Sequence, residues 1–501
     1  MIQQTPPLAV FALLSVCALA QGQSRDQGQG PTLLEARRGH QTKILTQEGY
    51  TADGPADEVR REPFRLVHYE SPVGPLVGYL THAPKGNRKR PAVIYAHGGF
   101  GGIGTWVLKK EIVTAFREAG FVVFCPSWRG ENDNPGKFEL FYGEVEDSLA
   151  AFDYVAALPY VDTSRIYMAG HSTGGTITLL TALAQPKLRA AFSFGGAPNF
   201  AVTVQDGGYG NTPYDSEDAQ ENRLRSALPF AKTLKVPVLY FEGDDSSYTK
   251  AAYEMERAVG SSRRRFRAFI LDEGDHFNVI KVLGPWVAEE LKKDRGQRFS
   301  LWPKGDAVTS VFRRGMVELL AKQVDGNPKD EQAWFDLGVI YLAQDRYQPA
   351  RDAFSKAIAL RPGWDLAHFD RGVTLHCLER YPAAIEDYTR WIDQNPEEAV
   401  GYAMRGRAYI ETGQFFKAER DLGQARRLDP SDAEVRAMHT GIEGIIKVGR
   451  VFLVGGVVVA IFLLVLVIWV VRRRRLKQAA PPLLFGDDSP GGERSWPESP
   501  I

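Results

Sequence analysis

From Glu331 onward the chain repeats itself every 34 residues without a gap, in units that begin at Glu331, Asp365 and Ala399. A period of that length leaves little choice of architecture: each unit is a pair of helices that cannot bury its apolar face alone, so successive pairs stack into an array. In the first unit Trp334, Leu337, Gly338, Tyr341, Ala350, Phe354, Ala357 and Pro362 take the recurring positions. In the third, Tyr402, Gly406, Tyr409, Ala418, Leu422, Ala425 and Pro430 do so, with Arg405 in place of the leucine. The second unit keeps Gly372, Ala384, Tyr388 and Pro396 but departs at Arg371 and Trp391. Small residues let the two helices of a unit approach, aromatic rings fill the space between them, and proline ends the second helix. Residues 433–447 read as a capping helix.

This pattern resembles tetratricopeptide repeats over residues 331–432. The resemblance implies an all-α solenoid whose concave face takes a protein partner, or a rigid spacer.

Residues 60–300 obey a different rule. Apolar runs at 64–69, 76–81, 92–96, 122–125, 166–169, 190–194, 236–241 and 269–271 alternate with helical patterns near 111–119, 144–158 and 176–184. The first two runs, separated by Ser71-Pro72-Val73-Gly74-Pro75, read as a hairpin, and the remainder as a mostly parallel sheet with helices on both faces. The expected fold class is therefore α/β, followed by the helical array, with a linker near 294–306 between them.

Gly170-His171-Ser172-Thr173-Gly174 lies between a strand and a helix, the context of a nucleophile elbow. The glycines are needed because the serine must stand in a strained turn with its hydroxyl exposed. An acyl-transfer site also needs amide donors for an oxyanion. Thr173 supplies one, and Gly98 or Gly99 of the run His97-Gly98-Gly99-Phe100-Gly101-Gly102 supplies another. In this fold the histidine follows the serine in the chain, and of the later histidines His368, His376 and His439 fall in or beyond the repeats, leaving His276.

Together, residues 91–102, Trp128-Arg129-Gly130, Glu146-Asp147, residues 161–166, residues 170–175 and Val236-Pro237-Val238 resemble the catalytic domain of the prolyl oligopeptidase and dienelactone hydrolase branch of α/β-hydrolases. The resemblance implies a serine hydrolase acting on a small ester or a peptide. It also implies a triad aspartate in the loop after the run 236–241, commonly three residues beyond a glycine. Three residues beyond Gly243 stands Ser246, so the expected acid is Asp245, with Asp244, Asp272 and Asp275 as alternatives. A domain that had lost its acid would instead be a scaffold beside the repeats. Tyr209, Tyr214, Arg223 and Arg225, in the excursion 198–234, are candidates for an entrance.

Residues 1–20, apolar from 8 and ending in Ala18-Leu19-Ala20, read as a secretory signal peptide. Residues 451–471 form an unbroken apolar run of 21 residues, enough to span about 30 Å of bilayer as a helix. Arg472, Arg473, Arg474, Arg475 and Lys477 follow, a cluster that stays on the cytoplasmic side and places hydrolase and repeats outside. The tail 472–501 is rich in proline, glycine and serine and reads as disordered. With 61 basic and 61 acidic residues, nothing argues for nucleic acid. Cys17, Cys125 and Cys377 have no metal-ligand spacing, and no sequence pattern calls for a cofactor. Protease added to intact cells or spheroplasts is expected to degrade the repeats; protection of the repeats with digestion of the tail would reverse this topology.

Overall fold

Runs such as Val122-Val123-Phe124-Cys125, apolar at every position, suit strands covered on both faces. The computed structural model describes residues 30–47, 54–59, 63–205, 207, 211–260, 265–297, 303–453 and 469. Its strands are β1 Phe64–Ser71, β2 Gly74–Thr81, β3 Arg90–Ala96, β4 Val122–Pro126, β5 Val161–His171, β6 Ala190–Phe194, β7 Val238–Gly243 and β8 Phe266–Leu271. They form one sheet in the order β1-β2-β4-β3-β5-β6-β7-β8. The hairpin β1/β2 joins β4 antiparallel, and all other neighbours are parallel. The carboxyl ends of β3, β5, β6, β7 and β8 therefore lie along one rim, where open α/β sheets place their sites.

The segment before the sheet is less passive than its polar composition suggests. A capping box between Thr32 and Glu35 starts α1 (Leu33–Arg37). Leu33 is buried, and the Arg37 guanidinium donates to the carbonyls of Leu224, Phe141 and Tyr142 at 2.7–3.1 Å. Then come α2 (Glu111–Glu118), α3 (Gly143–Ala157), α4 (Thr173–Ala184), α5 (Phe200–Gln205), α6 (Ala219–Leu224), α7 (Thr249–Val259) and α8 (Asn278–Leu291). Residues Gly305–Gly326, which begin where the expected linker 294–306 ends, form α9, which buries Val308, Phe312, Met316, Leu320 and Val324, one residue per helical turn.

The chain divides into two compact units, Met1–Asp345 and Arg346–Ile501. The first unit thus includes α10 (Glu331–Leu342), the first helix of the first repeat. The second holds α11 (Tyr347–Leu360), α12 (Asp365–Cys377), α13 (Tyr381–Gln394), α14 (Ala399–Glu411), α15 (Phe415–Leu428) and α16 (Ala433–Leu453), each packed on the next. The two arginines that break the repeat pattern are explained by pairing. Arg371 grips Asp387 through two bonds of 2.8 Å, and Arg405 grips Asp421 at 2.7 and 3.1 Å. Both aspartates are buried, so each arginine supplies the charge its carboxylate needs inside the repeat.

No described helix is long and apolar enough to cross a membrane. The expected span 451–471 lies outside the described residues except for 451–453 and Trp469, and residues 1–20 and 472–501 lie outside them entirely.

In the first unit, the loop after β4 is closed by Arg129. Its side chain meets Asp147 twice, at 2.9 and 3.0 Å, and Glu139 and Glu146 at 3.0 Å each. Asp147 has no solvent exposure. Arg129→Ala is expected to lower stability by about 3–5 kcal/mol, because an unpaired carboxylate would remain buried. Chemical denaturation of the variant checks this, and a loss below about 1 kcal/mol would refute it.

Candidate active site

At the end of β5 the chain turns directly into α4, and Ser172 takes the turn at φ 57°, ψ −120°, a conformation that costs energy for any residue with a side chain. The Ser172 N–H donates to Phe194 O at 2.8 Å, fixing the turn to the end of β6. A side chain at Gly170 would collide with the carbonyl of Gly174, so the sharp entry to the helix requires glycine there.

The glycine run after β3 lies against this turn. Thr173 Oγ1 donates to Gly99 O at 3.0 Å, and a Cβ on Gly98 would stand 3.4 Å from Ser172 Cβ. The Thr173 N–H belongs to the first turn of α4, where amides lack intrahelical partners. The run is rooted by His97, whose ring meets buried Glu131 at 3.0 Å and stacks on Trp128. Burial pulls the His97 pKa down, and the Glu131 charge and hydrogen bond outweigh it, leaving His97 above the usual range.

His276 Nδ1 lies 3.2 and 3.4 Å from the two carboxylate oxygens of Glu242, whose side chain has no solvent exposure. Gly195, at φ +65°, sits where a Cβ would strike both groups. The carboxylate beside the ring is thus Glu242, not the expected Asp245. Asp245 is exposed, and among the described residues no hydrogen bond joins it to His276. Burial raises the pKa of Asp245, as do the charges of Asp275 and Glu242. The alternatives are placed elsewhere: Asp275 accepts the N–H groups of Phe277 and Asn278 at 2.7 Å each, and Asp272 is exposed, 3.8 Å from Arg313. Asp244 donates its N–H to Leu271 O. Glu242 stands one residue before Gly243, inside β7, whereas the family pattern places the acid beyond that glycine. An isolated glutamate between Phe241 and Gly243, at the end of an apolar strand, was the available signal.

The structure also reassigns the candidate entrance. Tyr214 and Arg225 are buried, with the guanidinium 3.7 Å from the ring centroid. Arg225 binds Glu221, Thr42 and Glu139 O, which is a structural task. Arg223 lies over Phe230, and Tyr209 is outside the described residues. The aromatic groups beside His276 are instead Phe277, 60% exposed, and Tyr248. The Ser172 hydroxyl has no hydrogen bond to His276 within 3.5 Å; such bonds often tighten only with substrate in place.

Residues 106–249 match the prolyl oligopeptidase family, and residues 331–364 match the tetratricopeptide repeat. An uncharacterized peptidase, YtmA, of Bacillus subtilis is 27% identical over 213 residues, covering 39% of this chain and 81% of that protein. Hsc70-interacting protein 1 of Drosophila melanogaster is 38% identical over 86 residues, 17% of this chain and 23% of that protein. Among solved structures, the Pyrococcus horikoshii acylaminoacyl peptidase superposes with a TM-score of 0.42 at 17% identity, over 50% of this chain and 44% of that one. The chain thus spans less than half of that solved relative. By the family match and the peptidase relative, this chain is a serine hydrolase with tetratricopeptide repeats.

His171, beside the nucleophile, donates from Nε2 to His276 O at 2.8 Å and so holds the backbone of the histidine loop. Burial, and then the neighbouring His276, push its pKa down to about 4. Folded His171 stays neutral until about pH 4, whereas in the unfolded chain it protonates near 6.5. The unfolded state therefore takes up the proton first as pH falls, and stability is lost between about pH 6.5 and 4, by about 3 kcal/mol at most. His171→Gln should flatten that part of the pH profile in urea titrations; an unchanged slope would refute the assignment.

Proposed function

We propose that the catalytic unit hydrolyses peptide or ester bonds through Ser172, His276 and Glu242. The observation that supports this most is the pairing of buried Glu242 with His276 Nδ1, which leaves the other ring nitrogen to act as the base. In this reading Ser172 Oγ attacks the acyl carbon while its proton passes to His276 Nε2. The N–H groups of Thr173 and of Gly98 or Gly99 hold the oxyanion. Collapse of the tetrahedral intermediate breaks the bond to the leaving group, which takes the proton from His276. Water then attacks the acyl-enzyme by the same route in reverse. Glu242 fixes the tautomer and balances the imidazolium charge that forms. Exposed Phe277 offers an apolar flank for the group next to the scissile bond.

The repeats, by the same proposal, hold a protein partner, a role consistent with the relatives named for their interaction with Hsc70. The apolar run 451–471 would anchor the chain, with the catalytic unit outside the cytoplasm.

A fluorophosphonate probe is expected to label the wild type and not Ser172→Ala; equal labelling would overturn the proposal. Glu242→Gln should lower turnover of a peptide or ester by about 10³–10⁴-fold, with Asp245→Asn staying near wild type. The opposite ranking would return the acid to Asp245, and full activity of both variants would exclude a carboxylate from this loop.

A further inference from the structure

The repeat period carries a consequence at the end of the array. Arg371 and Arg405 stand 34 residues apart, and the residue 34 beyond Arg405 is His439, on α16. Each arginine reaches an aspartate on the following helix of its own repeat, Asp387 or Asp421. Each also donates to a hydroxyl on the preceding helix, Ser355 or Thr389. His439 inherits this buried position without those partners. The residue corresponding to Asp387 and Asp421 is Gly455, and the one corresponding to Ser355 and Thr389 is Gly423. A Cβ at Gly423 would stand 3.1 Å from His439 Nε2, so the glycine makes room for the ring.

The His439 side chain is only 4% exposed, and its Nδ1 has no hydrogen-bond partner. A buried ring nitrogen without a partner is costly, and natural structures rarely leave one. It faces two carboxylates. Glu443, one turn further along α16, places Oε1 3.9 Å away, and Glu419 comes from α15. One donor atom of each residue lies within 4.8 Å of the other two. Among the described residues, no lysine or arginine pairs with Glu419 or Glu443. Nearby Arg427 donates to Gln424 instead.

We propose that Glu419, His439 and Glu443 bind a divalent transition-metal ion, best met by Zn²⁺, that joins the last repeat to its capping helix. An imidazole with two carboxylates suits zinc better than calcium or magnesium, which take oxygen ligands alone. Metal–ligand bonds of about 2.0–2.2 Å require donor atoms about 3–4 Å apart. The present arrangement reaches that spacing by small rotations of the two glutamates, neither of which is held by a lysine or arginine among the described side chains. Water would complete the coordination. The ion would satisfy the imidazole nitrogen, neutralise two adjacent carboxylates and fasten α16 to α15. No Cys or His-Glu-x-x-His spacing marks such a site, since Glu419 is brought to the His439/Glu443 pair only by the packing of two helices.

The test uses the full chain in mild detergent, freed of metal with a chelator and titrated with Zn²⁺ against a chromophoric competitor. His439→Gln and the double variant Glu419→Gln/Glu443→Gln are treated alike, with folding followed by circular dichroism. The wild type should take up one more zinc ion per chain than either variant, and its thermal transition should rise on loading while theirs does not. Should His439→Gln fail to fold, the double variant, altered only at partly exposed positions, decides. Equal uptake by the wild type and the folded variants, including no uptake by any, would overturn the proposal, because His439 would then be an ordinary buried histidine.

Discussion

The last residues of β6 hold the site together by bonding to both neighbours. Phe194 O accepts the N–H of Ser172 from the β5 side, and the Gly195 N–H donates to Phe241 O on the β7 side, at 2.8 and 2.9 Å. Parallel pairing thus fixes the spacing between the serine and the residue after Phe241, which is Glu242. A buried carboxylate must find a donor or a positive charge, and Gly195 leaves open the one direction in which His276 can reach it. Strain at Ser172, the glycine at 195 and the burial of Glu242 are therefore parts of one arrangement. A side chain at Gly195 would break it without touching the nucleophile.

Electrostatics sorts the acids around this site by what they face. Glu242, its side chain fully buried, faces a ring nitrogen, while Asp275 is satisfied by backbone amides at the start of α8. Asp245 lies in the open loop, where burial is partial and two neighbouring negative charges oppose its ionisation. Sequence distance from a glycine does not distinguish these surroundings.

What was legible in the sequence follows the same logic. The alternation of strands and helices, the elbow at Ser172 and the repeat period are local patterns, legible from the sequence alone, and His276 follows from chain order once the histidines of the repeats are set aside. Glu242 lies within β7 just before Gly243, so a count that starts from that glycine passes it by. The role of the segment around α1 depended on Arg37 reaching carbonyls more than a hundred residues away. The arginines at 371 and 405 looked like departures from the repeat and proved to be halves of buried pairs, because the matching aspartates lie one helix later.

The structure also changes where catalysis and repeats meet. α9 begins where the expected linker ends, and its Arg313 holds Glu273 through two bonds of 3.0 and 3.2 Å, three residues before His276. Glu273 has φ +60°, so the loop bearing the histidine is strained at the residue that Arg313 secures. The same guanidinium donates to Ala343 O at the end of α10, a helix whose sequence opens the first repeat. One side chain thus bridges the histidine loop and the first repeat helix within a single compact unit. The loop's position is set partly by residues outside the α/β domain, and cutting the chain between α8 and α9 would remove that support while leaving every residue of the proposed triad in place.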